Sequence, residues 1–461
     1  MSFVVRRDYS AAGPMLGPTG VKSACLLAPK PTSIEATGLS QWMLADLACK
    51  HLAESGVLDL GQLARAMALP GTVVEELLHG LRSQAQVELS SQRGDQSLLR
   101  FNLTERGRTT AAEAFLRDGY VGPAPVTLKQ YDQLIAAQSA RHFPMTRQAT
   151  EALFADTVID PDLIARLGPA IHSGRPIFIY GQPGTGKSFI ARRLKRALGP
   201  PLLLPHAIAV GDSIIRYFDP STHIPVTPAL SNLTSNQNQT SNQNQASELN
   251  LSTQLNQGSD SRWLLCERPM VVGAGELTME VLDLQYNASK RVYAAPLQLK
   301  ANGGLFIIDD LGRQRIPPET LLNRWILPME EQRDQLSLNS GQHFSVPFDL
   351  ALVFSTNLEP RELADEAFLR RIGYKVRFEA SSPAEYRAIW QQSCAQHGIE
   401  FDPQLLNFVT QELYAEQQTP LLPCHPRDLL QLAMDFSTYR GDAVIDRNAL
   451  RWAWQNYFLE V

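Results

Sequence analysis

The sequence predicts an α/β fold with a parallel sheet, preceded by a small α+β domain and followed by an all-helical unit. Three observations lead to this prediction. Residues 146–380 alternate apolar strand patterns with helical patterns, which is typical of an α/β domain. A glycine-rich loop joins one of these strands to a helix, and two aspartates end another. Residues 381–461 show only the helical spacing of apolar side chains.

Composition excludes several protein classes. The 461 residues carry 42 basic and 47 acidic side chains, a formal net charge of −5, which gives no overall attraction to nucleic acid or to an anionic membrane. Five scattered cysteines form no C-x-x-C pair, so neither a zinc site nor a disulfide framework is indicated. No apolar run reaches the roughly 18 residues of a membrane span, and no apolar segment follows the N-terminal charges. We therefore expect a cytoplasmic protein without a membrane span.

The N-terminal third divides into three parts. Residues 1–35, rich in Pro, Gly, Ala and Ser, read as an irregular tail. Residues 36–115 show three helical patterns and then two short strands around a polar turn at 93–95. This order of elements resembles a winged helix. Residues 116–145 contain a Gly- and Pro-rich run that favours a connector, although its apolar side chains suit docking on a neighbour.

In the α/β region, three short, apolar and β-branched runs are typical of buried parallel strands: Ile177–Tyr180, Leu305–Ile308 and Leu350–Ser355. Residues 229–260 break the pattern with an Asn/Gln/Ser tract, which we interpret as a disordered surface insertion because it has too few apolar groups to offset ordering entropy. The C-terminal unit should contain four helices, at Tyr386–His397, Pro403–Leu413, Arg427–Tyr439 and Arg447–Phe458.

The most specific motif is a phosphate-binding loop (P-loop). It fits G-x-x-x-x-G-K-[ST] at every required position, with a strand before it and a helix over 188–198 after it, in Gly181-Gln182-Pro183-Gly184-Thr185-Gly186-Lys187-Ser188. Glycines let backbone N–H groups turn toward an anion, and the helix directs its positive end there. Lys187 should reach the β- and γ-phosphates of ATP, and Ser188 should bind Mg²⁺.

A second signal is the pair of aspartates that ends the strand Leu305–Ile308. The C-terminal edge of a parallel sheet is where such folds bind ligands, so Asp309 and Asp310 should lie beside the P-loop. We expect Asp309 to hold Mg²⁺, through water, and Asp310 to polarise an attacking water. A strand-end turn without chemistry is the alternative.

The order of these motifs resembles the AAA+ ATPases over residues 146–461. In chain order the motifs are the P-loop, an acidic strand, a strand ending in Asn, an Arg-Arg pair and a helical unit with Pro-Arg. The run 301–310 is most similar to the MoxR-type branch. The resemblance implies a Mg²⁺-dependent ATPase whose last helical unit forms a lid. One departure is that AAA+ proteins usually carry Glu at the position of Asp310, whose shorter side chain favours slower turnover.

The resemblance also implies roles for further residues. Asn357 would be a sensor of the γ-phosphate or the attacking water, with a plain turn as the alternative. Arg371, with Arg370 in reserve, would be an arginine finger that acts on a neighbouring subunit, with solvated surface arginines as the alternative. Arg427 would be a second sensor, with a helix-start ion pair to Asp428 as the alternative. A finger that acts between subunits implies a homo-oligomer, by family analogy a hexamer.

Three functions compete. The first is an ATP-driven machine that remodels or assembles a protein partner. The second is a DNA-associated initiator, loader or regulator that uses the winged helix. The third is a nucleotide-gated scaffold that hydrolyses ATP slowly. Residues 36–115 hold seven basic and nine acidic side chains, and phosphate contacts require Lys and Arg. The sequence therefore favours a protein partner over DNA.

Overall fold

The structure is a computed structural model, and it describes residues 28–90, 99–143, 145–226, 259–442 and 444–458. Most of the predicted tail, the predicted turn at 93–95 and nearly all of the predicted 229–260 insertion lie outside the described residues. Where the chain resumes after the insertion, Ser259 forms a bridge with Pro29, and the N–H of Asp260 donates to the carbonyl of Ala28 at 3.0 Å.

The first domain is α+β, with three helices around a small antiparallel sheet and a fourth helix behind it. The sheet order is β1-β3-β2. The third helix presents Glu75, Glu76, His79 and Arg82 to solvent. A helix, a strand, two helices and two antiparallel strands precede the last helix, and the resemblance to a winged helix stays a prediction. The elements are α1 Gln41–Ser55, β1 Leu58–Asp59, α2 Leu60–Met67, α3 Gly71–Ser83, β2 Val87–Leu89, β3 Arg100–Leu103 and α4 Glu105–Arg117.

The central region is richer in strands than the sequence suggests. Its elements are β4 Val126–Thr127, α5 Leu128–Ala137, α6 Arg147–Leu153, α7 Pro161–Ser173, β5 Ile177–Gly181, α8 Lys187–Arg193, β6 Leu202–Pro205, β7 Ala207–Val210, β8 Ser213–Arg216, β9 Trp263–Cys266, β10 Met270–Gly273, β11 Gln285–Asn287, β12 Val292–Ala294, α9 Leu297–Lys300, β13 Leu305–Ile308, α10 Pro318–Glu331, β14 Arg333–Ser337, β15 His343–Pro347, β16 Ala351–Thr356, α11 Pro360–Leu363, α12 Glu366–Arg371 and β17 Tyr374–Phe378.

The main sheet confirms the predicted α/β core. Its five strands are all parallel, in the order β10-β13-β16-β5-β17. The three predicted strands are β5, β13 and β16. In the sheet, β16 lies between β13 and β5. Their Leu, Ile, Val and Phe side chains are almost fully buried on both faces, which explains the continuous apolar runs. Their carboxyl ends therefore meet at one edge of the sheet.

A second, mixed sheet was not predicted. Its order is β11-β12-β8-β7-β4, and it contains strands from the region between the P-loop helix and the acidic strand. Strand β4 and helix α5 come from residues 116–145, so regular elements follow the irregular stretch 118–125 of the predicted connector. Two antiparallel ribbons, β6–β9 and β14–β15, complete this region.

The first domain is packed firmly on the second sheet. Ala207, Ala209 and Ile214 of that sheet belong to the same buried apolar cluster as the helices of the first domain. The buried guanidinium of Arg262 donates to the carbonyls of Thr37 and Pro125, at 3.0 and 3.1 Å. The first domain is thus joined to the α/β region by a shared core.

The C-terminal unit is all-helical, as predicted. Its elements are α13 Pro383–His397, α14 Pro403–Phe408, α15 Tyr414–Gln417, α16 His425–Arg440 and α17 Arg447–Tyr457, with one π-helical turn at Val409–Leu413 before α15. Buried aromatic and aliphatic side chains from all of the longer helices form its own core. We call this unit the lid.

Candidate active site

The P-loop has the shape that its glycines allow. Gly181, Gly184 and Gly186 have φ angles of 140°, 82° and 85°, where side chains are disfavoured. A Cβ on Gly181 would lie 2.1 Å from the carbonyl oxygen of Phe378 in the adjacent strand β17. Helix α8 begins directly after the last of these glycines, at Lys187. The predicted strand–loop–helix arrangement is therefore present.

Lys187 lies inside the loop. Its side-chain ammonium donates to the carbonyl oxygens of Gly181 at 2.8 Å and of Gln182 at 2.7 Å, and the residue is only 6% exposed. Burial lowers the pKa of this lysine, and the nearby carboxylates of Asp310 and Asp309 oppose that shift. The Lys187 ammonium therefore lies near enough to both carboxylates for their charges to act on it.

The two predicted metal-binding side chains touch. The Ser188 hydroxyl donates to Oδ1 of Asp309 at 2.9 Å. A hydroxyl and a carboxylate are hard oxygen ligands of the kind that Mg²⁺ prefers, and Mg²⁺ usually keeps several waters besides one or two protein ligands and phosphate oxygens. Among the described residues no group of three or more His, Cys, Asp or Glu could enclose a metal. The residues thus fit a Mg²⁺ ion whose other ligands come from nucleotide and water.

Asp310 and Asn357 also lie together. The Asn357 side-chain amide donates to Oδ1 of Asp310 at 3.3 Å. This follows from the sheet register, because Ile308 pairs with Phe354 and the next residues leave both strands at the same edge. Five predicted residues from three neighbouring strand ends, Lys187, Ser188, Asp309, Asp310 and Asn357, are therefore brought to one place.

The backbone after the acidic strand forms a tight turn, residues 309–314, which we call the acid turn. Asp310 has a φ angle of +51°, and Gly312 has one of +104°. The Gln314 side chain accepts from the N–H of Gly312 at 2.9 Å and donates to the carbonyl of Asp309 at 2.8 Å. Sequence reasoning missed Gln314, because a glutamine among polar turn residues carries no distinguishing signal.

The arginine pair does not contact the P-loop. Arg371 bonds in its own subunit to the Glu330 carboxylate at 2.5 Å and to the carbonyl of Ala367 at 2.9 Å. Arg370 is exposed, and its side chain has no hydrogen bond or ion pair to another described residue. Both arginines stand at the end of α12, just before the strand that borders β5. Of the two side chains, that of Arg370 is therefore the one that could bind another group without breaking a contact.

The lid reaches the P-loop through backbone and sulfur, and not through the predicted arginine. The N–H of Cys424 donates to the carbonyl of Gly184 at 3.3 Å, and a Cβ on Gly184 would lie 2.6 Å from the Cys424 sulfur. Arg427 is 68% exposed and pairs with Asp428 at 2.9 Å, the arrangement that was the alternative to a sensor. The contact between Cys424 and Gly184 was not predicted.

Comparisons with known proteins find only low similarity. None of the helices in the described parts of the chain is both long and apolar enough to cross a membrane. Residues 382–456 match a family described as a domain of unknown function, DUF8689, which covers the lid and not the α/β core. No curated protein matches.

Three solved structures illustrate the fold similarity. NtrX from Brucella abortus is 14% identical, with 66% of this chain and 56% of that chain covered and a TM-score of 0.37. The RuvB Holliday junction branch migration motor of Thermotoga maritima is 12% identical, with 65% and 68% covered and a TM-score of 0.34. Domain III of the Thermotoga maritima replication initiation protein DnaA is 14% identical, with 67% and 97% covered and a TM-score of 0.34. The chain spans little more than half of the NtrX chain that it matches.

Proposed function

We propose that this protein is an ATP-binding and ATP-hydrolysing member of the AAA+ type that remodels or assembles a protein partner. The observation that carries the proposal is the convergence of five side chains from three neighbouring strand ends. An ammonium inside a glycine loop, a hydroxyl–carboxylate pair and a second carboxylate with an amide are the groups that a triphosphate, a metal ion and a water nucleophile require.

Each side chain has a definite task in this proposal. Lys187 neutralises the β- and γ-phosphates once they displace it from the loop carbonyls. Ser188 and Asp309 would hold Mg²⁺, which when bound supplies charge neutralisation at the phosphate oxygens. Asp310 accepts the hydrogen bond of the attacking water, and Asn357 fixes the orientation of that carboxylate. The shorter Asp310 in place of Glu favours slow turnover, and this keeps a nucleotide-gated scaffold as a second candidate.

A complete site needs a neighbouring subunit. By resemblance, positive charge opposite Lys187 would come from an arginine of a second copy. Arg370 can serve without losing a bond, whereas Arg371 must first leave Glu330. A homo-oligomer, by resemblance a hexamer, is therefore part of the proposal, as is a sensor role for Arg427 after it leaves Asp428.

The first domain favours a protein partner over DNA. The exposed face of α3, the helix that would enter a groove, carries two glutamates beside one histidine and one arginine. Two carboxylates on that face would repel phosphates. A domain that shares a core with the α/β region is also suited to hold a partner at a fixed place. DNA binding through this domain is the alternative outcome.

Nucleotide binding and turnover of the full chain test the proposal. Wild-type protein should bind ATP and release phosphate only with Mg²⁺, Lys187→Ala should bind ATP far more weakly, and Asp310→Asn should bind ATP and retain only a small residual turnover. Lys195→Ala is a matched control, since Lys195 follows the same helix but pairs with Glu267 at 2.7 Å. Asp310→Asn protein loaded with ATP should retain a protein partner. Failure of the wild type to bind ATP refutes the proposal, and turnover stimulated by DNA alone favours the alternative.

A further inference from the structure

The acid turn is held by one side chain that no motif includes. Gln314 uses both ends of its amide: its oxygen accepts from the N–H of Gly312, and its nitrogen donates to the carbonyl of Asp309. Asp309 is the first residue after β13, so its backbone carbonyl has no partner in the hydrogen-bond ladder of the sheet. Gln314 therefore satisfies that carbonyl and ties the start of the turn to its end.

The turn needs such a tie because its backbone is in an uncommon conformation. Asp310 lies in the left-handed region at φ +51°, which costs free energy for any residue with a Cβ. Leu311 is fixed to β16 on both sides, as its N–H donates to the carbonyl of Ser355 at 2.8 Å and its carbonyl accepts from the Thr356 hydroxyl at 2.7 Å. The turn is thus held at its middle by β16 and at its two ends by Gln314.

The direction of the Asp310 carboxylate depends on the backbone of the acid turn, which these hydrogen bonds hold in place. Its only side-chain hydrogen bond to another described residue is the long one from Asn357, at 3.3 Å. One bond of that length fixes a carboxylate weakly, so the backbone at Asp310 must set most of its direction. Gln314 forms no hydrogen bond with either carboxylate, so its effect on them passes through the backbone of the turn.

We infer that Gln314 is a positioning residue that holds Asp310 in the direction needed to orient the attacking water. This inference rests on the proposed ATPase function. Without the amide, the turn can relax from the left-handed conformation and the carboxylate moves, while Lys187 and the glycine loop stay in place. A displacement of about 1 Å at a catalytic group can cost ~100-fold in rate. The effect should therefore fall on kcat and not on ATP affinity.

Gln314→Met in the full chain tests the inference, because Met keeps the volume and removes both hydrogen bonds. We expect kcat for ATP to fall about 10- to 100-fold, with ATP affinity and the thermal midpoint close to those of the wild type. Gln431→Met is the matched control, since Gln431 donates to Asp435 at 3.0 Å on an exposed face of the lid and should keep full turnover. In the Asp310→Asn background, Gln314→Met should lower the residual turnover no further.

The outcomes separate this inference from the proposed function. Wild-type protein that turns over ATP, together with Gln314→Met protein that does so equally fast, overturns the positioning role alone. A parallel fall in kcat, ATP affinity and thermal midpoint also overturns it, because Gln314 would then be structural. An additive loss in the double variant shows that Gln314 does not act through Asp310. Wild-type protein without ATP binding or turnover refutes the proposed function itself, and the inference with it.

Discussion

The contact between the lid and the P-loop can be tested by substituting two glycines of the loop, of which only Gly184 lies against the lid. Gly184 and Gly186 both have φ angles above +80°, so alanine at either position costs about 1–2 kcal/mol of backbone strain. A Cβ on Gly186 would meet nothing within 4 Å, whereas one on Gly184 would lie 2.6 Å from the Cys424 sulfur. Overpacking of this kind costs a further ~1–3 kcal/mol. Gly184→Ala should therefore destabilise the protein by about 2–5 kcal/mol and Gly186→Ala by about 1–2 kcal/mol.

The assay is denaturant unfolding of the nucleotide-free protein, followed by a probe of the α/β core. Cys424→Ala removes the sulfur that the new methyl group would meet and leaves Leu422 Cδ1, at 3.3 Å, as its nearest neighbour. Gly184→Ala in that background should therefore cost clearly less than in the wild type and approach the cost of Gly186→Ala. This cycle isolates the contact from the backbone term. Equal costs for the two glycines in the wild type, or a Gly184→Ala cost that persists without the sulfur, would refute the lid contact.

Three other predictions concern binding and stability. Lys187→Ala should weaken ATP binding ~100-fold, as expected from the loss of about 3 kcal/mol of charge-assisted hydrogen bonds, in an equilibrium titration with labelled ATP. Arg262→Met should destabilise the protein by ~3–5 kcal/mol in thermal or denaturant unfolding, because the buried Asp260 carboxylate, now paired at 2.8 Å, loses its ionic partner and keeps only the backbone N–H of residue 262 at 3.0 Å. Burial lowers the pKa of His425 to about 4, against the opposing effect of Asp428. Below about pH 6.5 the histidine of the unfolded chain takes up a proton, while that of the folded protein stays neutral. The stability of the lid should therefore be full above about pH 6.5 and fall between about pH 6.5 and 4. His425→Gln should flatten this pH dependence.

Local patterns predict much of this structure, and non-local pairing accounts for what they miss. The strands β5, β13 and β16 were predictable because both of their faces are buried, which leaves an uninterrupted apolar run in the sequence. The second sheet was not, because its strands are two to four residues long and pair across distant parts of the chain, as β4 does with β7. No periodicity marks a strand that short.

The site shows the same division. The P-loop is continuous in sequence, and the order of strand ends suffices to bring Asp309 and Asn357 to it. Gln314 and Cys424 were not predicted because their roles depend on contacts that no motif encodes. The contact of Gln314 lies within a turn, and that of Cys424 joins residues 240 positions apart. Side chains that hold others in place have no composition of their own, so a sequence alone cannot select them.

The packing also decides which parts of the molecule can move relative to one another. The first domain shares an apolar core with the second sheet, and that sheet meets the ribbon before β16, where the N–H of Asn339 donates to the Tyr293 hydroxyl at 3.0 Å. The lid has its own core, and the polar contacts between it and the α/β region, within the described residues, are few. Among them are Gln392 to the carbonyl of Asp156 at 2.7 Å and Cys424 to Gly184. Interfaces of this second kind open at lower free energy than a shared core does. Nucleotide binding at the P-loop should therefore displace the lid and leave the first domain where it is.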